Sequence, residues 1–351
     1  RFDAINDSHY RPAFDEAMRL KRADIDAIIA QRAAPDFDNT VLALEKSGAM
    51  LSRVSSVFFA MTSAHTNDDL QALDEQFSTE LAGLANDIWL NDTLFARVEA
   101  VWQDREALDA ESRRLTEETY QHFVLAGARL NADEKAELKA LNTEAATLTS
   151  QFNQRLLAAN KAGGLVVDDV HQLDGLSAEE VAAAAHAAAE KGLTDRWLIP
   201  LLNTTQQPAL AALSLRETRK KLFSAGWERT QKGDENDTRE LIRRLTGLRA
   251  RQAQLLGFDN YASWSIADQM AKTPEAALEF MRGIVPAARG RAALEQADIQ
   301  KVIDDEQGGF TVHAWDWAFY AERVRSAKYA LDESQIKPYF ALNTVLEDGV
   351  F

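Results

Sequence analysis

The sequence predicts an all-α protein with a small irregular or β element near its middle. Apolar residues recur every three or four positions along most of the 351 residues, and helix-capping residues precede these patterns. Segments rich in Gly, Pro and β-branched residues without helical spacing occur only around residues 161–212. With 46% hydrophobic residues, the chain can bury one large core or two to three ordinary ones.

The apolar spacing in residues 1–160 predicts a series of antiparallel helices joined by short polar links. We expect one helix over residues 39–64 with Asn39 as its cap, and a second beginning near Leu70. Asp92 is typical of the cap of a third, and Asn131 opens the longest pattern. The apolar residues that carry the four patterns are Leu44, Leu51, Val54, Phe58 and Met61; Leu70, Leu73, Phe77, Leu81 and Leu84; Phe95, Val98 and Trp102; and Leu138, Leu141, Ala145, Leu148, Phe152 and Leu156.

Residues 161–212 predict a mixed connector. The stretches "GGLVVDDVHQLDGL" (163–176) and "DRWLIPLLNTTQQP" (195–208) indicate short extended segments or loops. Between them, Ser177 and Glu180 form a capping box ahead of an alanine-rich helix that stops at Gly192.

Residues 213–351 predict a second helical region. One helix is expected from Asp237 to Leu256, with Gly257 at its C-terminal end, and another begins at Thr273-Pro274-Glu275. No fixed repeat period is present, which argues against a solenoid. The predicted organisation is therefore three consecutive parts, 1–160, 161–212 and 213–351.

Composition restricts the classes of function. Without cysteine, the chain has no disulfides, thiolate metal sites or cysteine nucleophiles, which fits a cytoplasmic protein. A net charge of −16 disfavours nucleic-acid partners. The chain has neither an apolar run of 18 residues nor an N-terminal signal pattern, so we expect no membrane partner. The basic stretches "RETRKKLF" (216–223) and "RRLTGLRAR" (243–251) are interpreted as solvated helix faces.

The sequence around the six histidines does not predict a metal site. None begins an H-E-x-x-H sequence, so the usual zinc-binding helix of metallopeptidases is missing from these residues. We expect His186 and His122 to lie on helices as surface or packing residues, His186 without a second ligand three or four positions on, and His65 to lie in a turn.

Three weaker patterns are explained without chemistry. Asp234–Thr238 resembles the start of a calcium loop, but Arg239 stands where the turn needs glycine, so a helix start capped by Asp237 is the better interpretation. Ser334 and Lys337 match a serine–lysine nucleophile pattern by chance. The doublets 163–164 and 308–309 are interpreted as loop glycines, because they lack phosphate-binding spacing.

The stretch "HAWDWAFY" (313–320) concentrates four aromatic rings and one carboxylate. Trp315, Phe319 and Tyr320 fall on neighbouring rows of a helix, whereas Trp317 points elsewhere. A structural anchor is the favoured interpretation, because large aromatic side chains dominate core and interface burial. A role in lining a ligand site remains the alternative.

Seven segments in order resemble the thimet-oligopeptidase family of zinc metallopeptidases, nearest to its bacterial peptidyl-dipeptidase branch. They cover essentially the whole chain, which makes the resemblance more specific than any one of them. The segments are "HYRPAFDEAM" (9–18), "FDNTVLALEKSG" (37–48), "LNTEAATLTSQFNQRLLAAN" (141–160), "LIPLLNTTQQPAL" (198–210), "LLGFDNYASWSIADQMAKTPEAALEFM" (255–281), "WDWAFYAERVR" (315–325) and "IKPYFALNTVLEDGVF" (336–351).

The resemblance implies one lobe of a two-lobed, almost wholly helical peptidase whose channel admits short, unfolded peptides. In that family, zinc is held by two histidines of H-E-x-x-H and a downstream Glu, and the motif Glu activates the attacking water. None of these residues has a counterpart here, so no catalytic or metal-binding residue is assigned and substrate-binding residues are unknown. Zinc and a C-terminal catalytic lobe would belong to polypeptide beyond Phe351.

Two functions are therefore weighed. The first is the channel-forming N-terminal half of a zinc peptidyl-dipeptidase that releases C-terminal dipeptides from oligopeptides and is inactive without its catalytic portion. The second is a helical peptide-binding or scaffold protein without chemistry. Cleavage by a carboxylate pair within this stretch is the least favoured, because one sequence does not show which acidic residues converge.

Overall fold

The computed structural model describes residues 4–330 and 336–351 and confirms the predicted fold class, all-α with one small sheet. Contacts divide the chain into two units. The first comprises residues up to Arg155 together with Thr238–Glu279, and the second comprises Leu156–Asp237 together with Phe280–Phe351. The three consecutive parts drawn from the sequence stay a prediction of its organisation.

The first unit is helical throughout its described secondary structure. Its helices are Tyr10–Ile29 (α1), Ala43–Lys46 (α2), Ala49–Ala64 (α3), Asp68–Trp89 (α4), Asp92–Gln103 (α5), Ala110–Ala126 (α6), most of Ala132–Ala162 (α7), Arg239–Leu255 (α11), Tyr261–Ser265 (α12) and the start of Pro274–Asp305 (α13), with 3-10 turns at Asp7–His9 and Arg105–Ala107.

Aromatic rings form the centre of the core of the first unit. Phe14 of α1 stacks on Phe77 of α4 with ring centroids 3.9 Å apart, and Phe58 of α3 meets Phe77 edge-on at 5.0 Å. All three side chains are fully buried. A single aromatic cluster thus joins α1, α3 and α4.

The prediction of one continuous helix over residues 39–64 is wrong. A π-helical turn at Phe37–Leu42 leads into α2, and α3 starts anew at Ala49. Gly48 separates the two with φ of 75°, a left-handed conformation that suits glycine. Asp36 caps the first turn, while Asn39 completes its capping box from the third position.

Other predicted helix starts are correct to within one or two residues. Asn91, not Asp92, caps α5 by accepting from the Leu94 amide. Thr238 is the N-cap residue of α11, one position after the predicted Asp237, whose carboxylate accepts a hydrogen bond from the Gly233 amide. Asn131 opens α7 and Thr273 caps α13, both as predicted.

The second unit contains the predicted extended segments. Gly164–Val167 (β1) pairs antiparallel with Trp197–Pro200 (β2), with Gly164 opposite Pro200. Gly164 is therefore a strand residue rather than the predicted loop glycine, and a Cβ there would lie 2.3 Å from Leu198 Cδ1. The other elements are the 3-10 turn Val170–Leu173, Ala178–Glu190 (α8), Asn203–Ala212 (α9), Arg216–Trp227 (α10), the rest of α13, Ala314–Tyr329 (α14), a 3-10 turn at Lys337–Phe340, Leu342–Thr344 (α15) and a π-helical turn at Val345–Val350.

The predicted capping box and glycine stop of α8 are confirmed. The Ser177 and Glu180 side chains exchange hydrogen bonds with each other's backbone amides, and Gly192 has φ of 71° just past the helix. In the described part of the chain, no helix combines the length and apolarity that crossing a membrane requires.

Candidate functional site

The aromatic stretch 313–320 forms the first two turns of α14 in the second unit. His313 is the N-cap residue, and the Asp316 carboxylate accepts from the His313 backbone amide at 3.1 Å. Phe319 and Tyr320 are buried in a small core with Ile299 and Ile303 of α13. The structural-anchor interpretation is therefore confirmed for these two rings.

Asp316 is the centre of a buried ion-pair network. Its side chain is completely inaccessible to solvent and contacts two arginines of α10. Arg216 donates from Nε to Oδ1 at 3.0 Å and from Nη2 to Oδ2 at 2.9 Å, a two-pronged contact. Arg219 donates from Nη2 to Oδ1 at 3.2 Å. One carboxylate thus faces two guanidinium groups.

Arg219 is held on every side by protein groups. It is only 1% exposed, and its Nη1 donates to the Leu213 and Ser214 carbonyls at 2.8 and 3.0 Å. Its guanidinium carbon lies 4.1 Å from the centroid of the Phe319 ring. Within the described residues, its Nε finds no acceptor. The network is therefore well ordered but carries one unmatched donor.

Electrostatics keep Asp316 ionised. Burial by itself would raise the pKa of its carboxyl group, but hydrogen bonds from Arg216, the His313 amide and Arg219 more than offset burial and hold the pKa below its ordinary value. The same contact raises the pKa of Arg216. A carboxylate that stays charged and enclosed does not exchange protons near neutral pH, so this network joins α10 to α14 rather than performing acid–base chemistry.

The interpretation of 216–223 as a solvated helix face is wrong for Arg216 and Arg219. Both lie on the α10 face that meets α14. Local sequence does not indicate this contact, because the acceptor is about a hundred positions away and basic residues at helical spacing usually face water.

A long section of α13 shows apolar side chains to solvent. Residues 278–294 are all exposed, with Phe280 at 72%, Ile284 at 52% and Leu294 at 64%. Met281 and Val285 on the same section are also about half exposed. Exposed apolar surface of this kind is typical of a face that contacts further polypeptide.

The histidines mostly lie where predicted. His65 follows the end of α3, and His122 lies on α6, where its ring contacts that of Trp89 with centroids 4.1 Å apart and planes tilted by 56°. His186 on α8 is exposed, but the prediction overlooked Glu190 four positions on, whose Oε1 lies 3.6 Å from the His186 Nδ1. A single exposed contact of this length is a weak ion pair.

A cavity of about 230 Å³ in the first unit contains His122 together with Trp89 and the carboxylates of Glu45, Glu118 and Asp268. Burial lowers the pKa of His122, with Asp268 opposing the shift, so the ring is neutral at pH 7. Across the described residues, no three His, Asp or Glu side chains converge closely enough to hold a metal ion.

Ser334 of the serine–lysine pattern lies outside the described residues.

Known proteins match the chain along its whole length. The sequence model of Peptidase family M3 matches residues 209–351. Proteins named dipeptidyl carboxypeptidase from Salmonella typhimurium and Escherichia coli are each 68% identical over the whole chain, and the match covers 52% of each relative. Oligopeptidase A from Salmonella typhimurium is 25% identical, again over the whole chain and 52% of the relative.

The chain spans about half the length of the curated relatives it matches. The family-model match to residues 209–351 contains three of the seven family-like segments, 255–281, 315–325 and 336–351, together with the α10–α14 network. The predicted family resemblance is therefore confirmed: residues 209–351 match peptidase family M3, and the whole chain is similar to two proteins named dipeptidyl carboxypeptidase.

Proposed function

We propose that this chain is the channel-forming part of a zinc-dependent peptidyl-dipeptidase that hydrolyses short oligopeptides and releases dipeptides from their C-terminal ends. The carrying observation is the 68% identity, along the whole chain, to two proteins named dipeptidyl carboxypeptidase. Identity to oligopeptidase A is only 25%, which favours dipeptide release over general internal cleavage.

The chemistry of this proposal is assigned to polypeptide outside the chain. The sequence has no H-E-x-x-H, and the described residues do not fit a zinc site, because no three ligating side chains converge. We therefore derive no catalytic step through residues of this chain. Its proposed role is to line the channel and to exclude folded substrates.

The partner of this chain, in the proposal, is a catalytic lobe of the same protein. The exposed apolar side chains of α13, Phe280, Ile284 and Leu294 among them, support it, since burying them against another lobe would be favourable. The relatives are about twice as long as the aligned chain, which leaves room for such a lobe. The cytoplasmic location stays a prediction from the sequence.

The test uses the complete gene product that contains this chain. With zinc, we expect it to convert an N-blocked hexapeptide into a blocked tetrapeptide and a free dipeptide, detected by mass spectrometry. A chelator should abolish the reaction, and added zinc should restore it. A folded protein of the same terminal sequence is the matched control and should stay intact.

Two results would overturn the proposal. Release of single amino acids, or of fragments from internal positions only, would contradict dipeptide removal. Peptide binding without any cleavage in the presence of zinc would favour the alternative, a helical peptide-binding or scaffold protein, which the missing zinc motif in this chain supports.

A further inference from the structure

Four rings form a continuous array at the surface of the second unit, here called the aromatic ladder. His313 stacks on Trp315 with centroids 4.6 Å apart and planes 3° from parallel. Trp315 meets Phe223 edge-on at 6.4 Å, and Phe223 stacks on Trp227 at 5.8 Å. Trp227 ends the ladder and is 76% exposed. A large indole left open beside three ordered rings is typical of a binding surface.

The ladder is built on rigid elements. Phe223 and Trp227 share one face of α10 with Arg216 and Lys220, at spacings of four, three and four residues. Its other two rings begin α14, and the Asp316 network fixes the two helices to each other. The rings are therefore already ordered before any ligand arrives, which lowers the entropic cost of binding.

Positive charge accompanies the rings. α10 carries Arg216, Arg219, Lys220 and Lys221 against Glu217 alone, and Asp316 neutralises only one more of these cations. The excess persists when Glu228 at the helix end is included. Lys220 Nζ lies 5.4 Å from the Trp315 ring centroid. Lys220 and Lys221 are exposed, and neither forms an ion pair among the described residues. The local charge of this surface is therefore positive, opposite in sign to the net charge of −16 of the chain.

Trp315 adds an unmatched donor to this surface. Its indole N–H is shielded from water and has no acceptor among the described residues. A shielded donor without an acceptor costs about 1–3 kcal/mol. Because this N–H is enclosed by protein, the groups that a ligand would contact are the exposed ring of Trp227 and the exposed Lys220 and Lys221.

We propose that the aromatic ladder binds acidic peptide segments, with Lys220 pairing with a carboxylate and Trp227 packing on an apolar or aromatic side chain of the peptide. This inference rests on the proposed function, since it names the class of peptide that the enzyme would favour. It concerns residues of this chain alone and requires no metal.

Aromatic rings with basic neighbours also occur in proteins that bind single-stranded nucleic acid. Two observations favour a peptide here. One face of each ring is covered by its stacking partner, and Trp227, 76% exposed, offers an open platform for one side chain. A polyanion would also meet the repulsion of a strongly acidic chain, whereas a short peptide with a few carboxylates senses mainly the local charge.

The test measures binding by the complete gene product in chelator, so that cleavage does not interfere. The probe is a fluorescein-labelled hexapeptide with four acidic residues and one phenylalanine, and its anisotropy is followed. The matched peptide replaces each acid by its amide and should bind at least about fivefold more weakly, as the loss of exposed charge pairs implies.

Variants separate the two parts of the ladder. Lys220→Glu should weaken binding of the acidic peptide by about five- to tenfold and leave the amide peptide unchanged. Trp227→Ala should weaken both peptides by about three- to tenfold, because an aromatic contact is lost. Lys232→Glu makes the same charge change in the exposed loop before α11 and should alter neither affinity.

The outcomes distinguish this inference from the proposed function. Equal binding of the two peptides, or equal effects of Lys220→Glu and Lys232→Glu, would contradict binding of acidic peptides at the aromatic ladder. Neither result would contradict the release of dipeptides by the zinc-loaded protein. Binding of a labelled oligonucleotide in preference to the acidic peptide would also overturn it. Acidic-peptide binding that depends on Lys220, in a protein that releases no dipeptide, would support the ladder and contradict the proposed function.

Discussion

Two helices of this protein have similar basic sequences but opposite electrostatic environments. In α10, Arg219 is 1% exposed and shares the fully buried Asp316 with Arg216. In α11, the arginines remain at the surface: Arg251 pairs with Glu137 of α7 at 2.6 Å, and both side chains are more than 40% exposed. The two ion pairs have comparable geometry but differ in their access to water.

That difference decides how much each pair contributes. Water screens the exposed pair, so forming or breaking it changes stability little. The enclosed pair cannot exchange its partner for water, and removing one member leaves a buried charge without compensation. Position in the tertiary structure, rather than the basic character of the helix, therefore sets the importance of an arginine here.

The largest effect is expected from Asp316→Asn. This change keeps the shape of the side chain but removes the charge that compensates Arg216 and Arg219. We expect the free energy of unfolding to fall by about 3 kcal/mol. Urea titration followed by circular dichroism measures it, with Asp305→Asn at the exposed end of α13 as the matched control. An equal effect of the two changes would mean that the buried network contributes nothing special.

A smaller effect is expected from acid. The pKa of Asp316 is lowered in the folded protein, so the stability it contributes is present above the ordinary aspartate pKa of about 4 and is lost as pH falls through the lower folded value. Wild-type protein should therefore lose stability more steeply than Asp316→Asn below about pH 4. Urea midpoints at intervals from pH 5 to pH 2 give the two slopes. Parallel curves would contradict this assignment of the shift.

The smallest effect is expected from Glu137→Gln. Hydrogen bonding from Arg251 lowers the pKa of Glu137, but both groups are solvated. We expect no resolvable change in the urea midpoint at physiological salt, because exposed pairs are screened. A loss as large as that of Asp316→Asn would erase the contrast between the two helices.

Local signals in the sequence located most of the helices. Capping residues such as Ser177 with Glu180, and Thr273 ahead of Pro274, mark helix starts through hydrogen bonds to nearby amides, so a few residues suffice to detect them. The break at Gly48 was missed because the apolar spacing continues across it. The spacing of apolar residues indicates which side chains face the core. It does not indicate whether the helix between them is continuous.

The candidate site was only half visible. The aromatic residues of 313–320 stood out by composition, whereas their partners Arg216, Lys220 and Phe223 did not, because nothing in α10 distinguishes a buried arginine from a solvated one. The family resemblance supplied the expected activity but no residue roles within this chain.

By itself, the sequence determined the helical class, the position of the small β element, the acidic charge and the family resemblance, since these depend on local pattern and on ordered similarity. Only the tertiary structure decided that Asp316 is enclosed between two arginines, that four rings form a ladder beside exposed lysines, and that residues 278–294 of α13 stay uncovered. Burial and charge pairing depend on residues distant in the chain, and helical spacing records nothing about them.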